Sequence, residues 1–192
     1  MGWDRAADSM KFDIIVGNPP YGKNSNLAVR FLNLSGQLSD RVHYVLPRTF
    51  RKHSVQNRVD QHLHLILDQT VPDCVFPGTI ITCWQIWQRQ TQLRPLHPIL
   101  SQHSDLEFVH PDHAHVCIGR VGGGPCGRVF LDRFDQRSVN SHYFIRVSHA
   151  GVIPVLQSLS DKFRAAGIQT VGLPSLSKNE LIRIYQSHTC PC

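Results

Sequence analysis

Asn18, Pro19, Pro20 and Tyr21 stand in one unbroken run at the end of an apolar stretch, Phe12-Asp13-Ile14-Ile15-Val16-Gly17. Each proline fixes its φ and removes a backbone donor, so a loop built on two of them has little freedom left. The Asn18 amide oxygen and the Pro19 carbonyl are then held as two acceptors. Aimed at one point, they can receive both hydrogens of an NH2 group, which makes that nitrogen a better nucleophile without a strong base. Tyr21 adds a flat aromatic face on which a planar base lifted from its helix can stack.

A loop of this kind needs a strand to carry it, and Phe12 to Val16 reads as one. Val42 to Leu46 and Leu63 to Leu67 read as two more buried strands. Asn26 to Ser35 and Ser54 to His62 read as the helices between them, the second opening on a serine that can cap its first turn. Strand, helix, strand, helix, strand predicts a parallel sheet with crossover helices, and ligands of such sheets lie at the carboxyl ends of the strands. Val71 to Phe76 and Thr79 to Gln88, joined at Pro77-Gly78, predict an antiparallel hairpin on the sheet edge. Residues 89–104 carry no periodicity and read as a linker or long loop.

Four β-like runs follow, Leu106 to Val109, His115 to Val121, Arg128 to Phe134 and His142 to Val147. Gly122-Gly123-Gly124-Pro125 is a turn between two of them. A helix over about 150–166 and a second one opened by the capping-box spacing Ser177-Lys178-Asn179-Glu180 complete the pattern. The fold class expected is α/β, with a smaller mixed α+β region after the first sheet. The domain boundaries expected are 1–89, a linker at 90–104, and 105–192.

The chain has 192 residues, 41% hydrophobic and 18% charged, which suits a globular protein with a real core and excludes a disordered tail. No run of eighteen apolar residues and no secretory leader is present, so no membrane partner is expected and the address expected is cytoplasmic. The net charge of +6 is compatible with a polyanionic partner. The six cysteines form no C-x-x-C pair and read as free thiols. His110, His113, His115, Cys117 and Cys126 match none of the usual zinc spacings, so no metal is expected. Ser141-His142-Tyr143 lacks an acid to orient the histidine and is no triad fragment.

Lys11-Phe12-Asp13-Ile14-Ile15-Val16-Gly17-Asn18-Pro19-Pro20-Tyr21-Gly22 resembles the catalytic motif of the S-adenosylmethionine-dependent amino-methyltransferases, most closely the adenine-N6 DNA methyltransferases of restriction-modification systems. Asp40 to Pro47 resembles the family's next core strand, and Phe50-Arg51-Lys52 stands where the following loop faces the site. Val75-Phe76-Pro77-Gly78 resembles the edge hairpin that places a second aromatic against the flipped base. The resemblance implies a partial Rossmann-like methyltransferase sheet, Asn18 and the Pro19 carbonyl as acceptors for the adenine amine, Pro20 as the fixed point, and Tyr21 and Phe76 on either side of the base. It also implies S-adenosylmethionine as methyl donor and DNA as partner.

The family's glycine-rich cofactor loop and the acid after its next strand have no counterpart here. Gly119 to Gly127 lies between two β-like runs and reads as a hairpin turn. In the family order the cofactor half precedes the motif, so a truncated or split enzyme is expected, its cofactor-binding residues unknown and its cofactor half supplied by a second chain; catalysis by this chain alone is not implied. Two rivals stay open. One is methylation of an RNA base or a protein amide nitrogen by the same four residues. The other is a non-catalytic DNA-binding or assembly subunit, for which Arg120, Arg128, Arg133, Arg137 and Arg146 supply candidate phosphate contacts.

Overall fold

A computed structural model describes residues 11–72, 75 and 80–189. The chain divides into two compact units at His97/Pro98. Both combine helices with a four-stranded sheet, so the fold is mixed α/β.

In the first unit β1 (Ile15–Gly17), α1 (Asn26–Leu38), β2 (Arg41–Pro47), α2 (His53–Gln56), β3 (Leu63–Thr70) and β4 (Thr82–Arg89) build a sheet in the order β1-β2-β4-β3. Only β1 and β2 are parallel, joined by α1 as a crossover. β4 runs antiparallel to both β2 and β3. The predicted all-parallel arrangement is therefore corrected at its third strand. β3 continues to Thr70 and forms the hairpin itself, and the strand expected at the edge, β4, sits inside the sheet. Its sequence accounts for the position, since Cys83, Gln85 and Trp87 are buried while Ile86 is half-buried, so both faces are apolar enough for an inner strand. The predicted helix over 54–62 shortens to α2 and a turn.

One face of this sheet is covered. Val42, Tyr44 and Leu46 of β2, in register with Trp87, Gln85 and Cys83 of β4, meet Ala28, Val29 and Leu32 of α1 and Phe50, Val55 and Val59 beyond β2. The opposite face is not closed in the same way, since Val16 is 71% and Trp84 38% exposed. Among the described residues no strand pairs with the outer edge of β1. Residues 90–97 belong to this unit through the Arg94 guanidinium, which donates to the carbonyls of Leu63, Gln56 and Val59 at 3.0, 2.6 and 2.8 Å.

In the second unit β5 (Leu106–Phe108), β6 (Val116–Gly119), β7 (Val129–Phe130) and β8 (His142–Val147) form an antiparallel sheet in the order β5-β8-β6-β7. Three helices, α3 (Val152–Ser158), α4 (Ser160–Gly167) and α5 (Lys178–Thr189), complete it. The single helix expected over 150–166 is broken at Leu159, which is fully buried between the two pieces. Leu156, Leu159, Phe163, Leu176 and Leu181 close the core against Val116, Ile118 and Ile145. The capping box forms: the Glu180 amide donates to Ser177 Oγ at 3.2 Å, and Glu180 Oε2 accepts from the Ser177 amide at 2.8 Å. No helix among the described residues is long and apolar enough to cross a membrane.

Candidate active site

The register places one set of loops at one edge of the first sheet. β1 and β2 are parallel, so Asn18 and Arg48 leave from the same end. The pairs Pro47↔Thr82 and Thr70↔Cys83 bring the end of β3 and the start of β4 to that end as well. Asn-Pro-Pro-Tyr, the turn Arg48–Arg51, Thr70 and Thr82 thus share one end of the sheet. Phe76, the expected second aromatic, lies outside the described residues.

Pro19 is buried, whereas Asn18 and Pro20 are exposed. The buried ring anchors the loop and leaves the Asn18 amide in solvent, where it makes no hydrogen bond to any described residue. Tyr21 is half-buried against the unit's core. Burial, with a smaller contribution from Cys83, raises its phenol above the usual value, so Tyr21 is a neutral aromatic surface and not a base.

The chain after Tyr21 is strained. Gly22 has φ +66°, and a Cβ there would lie 2.7 Å from Leu27 Cγ. Asn24 and Ser25, which have side chains, also take left-handed backbones with φ of 54° and 61°. Two distant residues hold them. Arg58 donates to the Asn24 carbonyl at 2.7 Å and to the Asn26 side-chain oxygen. Ser25 Oγ meets Thr49 Oγ1 at 2.7 Å. No local motif marks Arg58 or Thr49, because both reach the loop only through the fold.

The basic turn after β2 is less available than its sequence suggests. Phe50 is fully buried. Arg51 grips Asp68 with Nε at 3.0 Å and Nη2 at 2.7 Å, and also donates to Thr70 Oγ1 at 3.1 Å. The hydrogen bond it donates to Asp68 raises the guanidinium above its ordinary value. Asp68 in turn accepts from the fully buried Gln85 at 3.2 Å, and Gln85 accepts from Trp87 Nε1 at 3.1 Å. This line of polar groups ties the turn to β3 and β4. Cys83 beside it donates to the Leu46 carbonyl at 3.6 Å. Burial, then Asp68, pushes its thiol up to about 12, which makes it unreactive as a nucleophile.

No strand, glycine turn and helix in the order of a nucleotide cradle occurs among the described residues. The glycine cluster expected as a turn is one: Gly122 accepts from the Cys126 amide at 3.2 Å. A Cβ on Gly119 would fall 1.8 Å from the Pro125 carbonyl oxygen, so this glycine serves chain packing. The described residues do not fit a methyl-donor site. They also hold no group of three or more metal-ligating side chains.

In the second unit the five arginines separate. Arg146 binds Glu107 Oε2 through Nε and Nη2 at 2.9 and 2.7 Å, while Arg133 and Arg137 lie 3.9 and 3.6 Å from Asp132. Arg120 and Arg128 have no carboxylate partner among the described residues. Ser141 Oγ is 3.0 Å from His142 Nδ1, which also faces the Ser138 carbonyl at 3.3 Å, and no acid orients the ring.

The model of the Eco57I restriction-modification methylase family matches residues 2–60, a stretch that includes β1, Asn-Pro-Pro-Tyr, α1, β2, the Arg48–Arg51 turn and Arg58. No curated protein and no solved structure matches. Over residues 2–60, less than a third of its length, the chain is similar to the Eco57I restriction-modification methylases, and that likeness supports a methyltransferase role.

Proposed function

We propose that this chain is the amine-presenting half of a site-specific DNA adenine-N6 methyltransferase. The observation that carries the reading is Asn18, an exposed amide with no hydrogen-bond partner among the described residues, directly before a buried proline at the carboxyl end of a parallel strand. Asn18 Oδ1 and the Pro19 carbonyl accept the two N6 hydrogens, Pro20 fixes the loop, and Tyr21 stacks on the base. Phe76 is proposed for the opposite face of the base. The nitrogen lone pair is then directed away from the ring, and the proton leaves after the nitrogen has become cationic. S-adenosylmethionine is the methyl donor proposed, held by structure that the described residues do not supply.

A second chain is proposed for that structure. The edge of β1, which no strand among the described residues pairs, and the exposed Val16 on that strand support it, because parallel strands are ordinarily covered on both faces and paired on both sides. The lack of a donor cradle also favours a second reading, a non-catalytic DNA-binding or assembly subunit.

The test is transfer of labelled methyl from S-adenosylmethionine to duplex DNA by the chain purified natively with its companion, followed by digestion to nucleosides. N6-methyldeoxyadenosine as the labelled product, lost in Asn18→Ala, is expected. Label in cytosine, RNA or a protein amide overturns the adenine assignment. An unlabelled product from a complex that binds DNA favours the assembly subunit.

A further inference from the structure

The second unit contains a cavity that the methyl-transfer reading does not use. It has a volume of ≈ 450 Å³, within the range of ligand sites, and its walls include Phe108, Arg120, His142, Tyr143, Phe144 and Lys178. A neighbouring cavity of ≈ 490 Å³ shares Phe108 and Lys178 with it.

The two cations of the first cavity are seated on rings. Lys178 Nζ lies 4.2 Å from the Phe108 centroid and Arg120 Cζ 5.6 Å from that of Tyr143. The rings themselves meet edge to face at 5.4 Å. Tyr143 is fixed, since its hydroxyl donates to the Leu176 carbonyl at 3.1 Å. No carboxylate lines this cavity. Each nearby acid has a partner: Glu107, on the wall of the neighbouring cavity, accepts from Arg146, Asp112 meets His110 of this cavity's wall at 3.0 Å, and Glu180 accepts from the Ser177 amide. Burial holds His142 below its usual value, so the positive charge belongs to Arg120 and Lys178.

We infer that this cavity binds an unpaired nucleotide of single-stranded nucleic acid, its phosphate between Arg120 and Lys178 and its base against the Phe108–Tyr143 wall. Two cations on a wall that holds no carboxylate attract an anion, and an aromatic wall beside them suits a planar ring. A concavity of this volume admits a base lifted from its neighbours. The second cavity, which shares Lys178 and Phe108, gives room for the adjoining nucleotide, the carboxylate of Glu107 on its wall being held by Arg146. The inference rests on the nucleic-acid partner of the proposed function, yet it needs neither Asn18 nor a methyl donor.

The experiment uses the whole chain with short single-stranded oligothymidylate, the matching duplex and thymidine monophosphate, read by fluorescence anisotropy and competition. Single strand is expected to bind most tightly. Arg120→Gln and Lys178→Gln should each weaken it by about tenfold and flatten the salt dependence by ~0.7 in the log–log slope. Both positions are exposed, so folding is preserved. Arg146→Gln, already paired with Glu107, should bind as wild type. A strand carrying 5-iododeoxyuridine should photo-cross-link to Phe108 or Tyr143. Unchanged affinity in both variants, cross-links confined to other residues, preference for duplex, or equal affinity for the free mononucleotide each overturns the assignment. Asn18→Ala separates the two readings. It should lose methyl transfer and keep strand binding, and loss of strand binding in that variant would move the affinity to the first unit and overturn this site.

Discussion

Asn18 can be read directly from the sequence because its chemistry is contiguous: strand, amide, two prolines and an aromatic in seven residues. Its exposure means that Asn18→Ala should change stability by less than about 0.5 kcal/mol. Loss of one preorganised polar group at a reacting centre should lower methyl transfer by on the order of 10²-fold or more, so turnover and thermal melting measured side by side must part company. Arg58 could not be read in the same way. Thirty-odd positions separate it from the loop it holds, and only the fold brings its guanidinium to the Asn24 carbonyl. Arg58→Met should release the left-handed turn at a cost of about 1 kcal/mol, and hydrogen exchange at the amides of Asn24 to Ala28 should quicken while α2 stays protected. Unchanged exchange there would remove Arg58 from the positioning role. Cys83 supplies a pH test. Its folded pKa is raised from an ordinary 9.0 to about 12, so the unfolded chain ionises first. The stabilisation is complete below pH 9 and is lost as pH rises towards 12, by up to ~1.4 kcal/mol per pH unit. Urea midpoints measured on either side of pH 9 should therefore fall less steeply for Cys83→Ala than for the wild type.

Elements were legible where periodicity and length agreed, and illegible where two orientations shared one pattern. β2 falls where its apolar alternation put it, whereas α1 forms over the expected residues but buries Ala28, Val29 and Leu32 and leaves exposed Leu27, Phe31 and Leu34, whose spacing had marked the apolar face. The direction of β3 did not follow from its residues, because a buried strand reads alike whether its neighbour is parallel or antiparallel. What decides it is β4, whose inner position depends on Gln85 being satisfied by Asp68 and Trp87 at full burial. That partnership joins β3 to β4 and leaves no local signature. The same sheet makes a claim about β1. With Val16 at 71% exposure and no partner strand among the described residues, a charge there meets little within the chain. Val16→Lys should leave the melting temperature of the chain within about 2 °C, and should lower its self-association in light scattering. In the natively purified complex the same change should abolish methyl transfer if the companion covers this face. A wild-type rate from Val16→Lys in that complex would mean the face is never covered.

Two separate cores make the molecule a pair of folding units on one chain. Leu32 belongs to the first core and Leu156 to the second, and both are fully buried. The pattern of the sequence changes between them, from strands alternating with helices to a run of short strands followed by helices. It did not signal the role of Arg94, which draws residues 90–97 onto the first unit by hydrogen bonds to backbone carbonyls that a composition scan cannot see. Each truncation, Leu32→Ala or Leu156→Ala, should cost about 2–5 kcal/mol, a large part of the stability of a unit this size. If the units fold on their own cores, hydrogen exchange will show the loss in the mutated unit alone: Leu156→Ala should expose β6 and β8 while β2 and β4 keep their protection, and Leu32→Ala the reverse. A uniform loss of protection in both units from either change would mean that the two cores unfold as one, and that nucleic-acid binding in the second unit and amine presentation in the first are energetically joined.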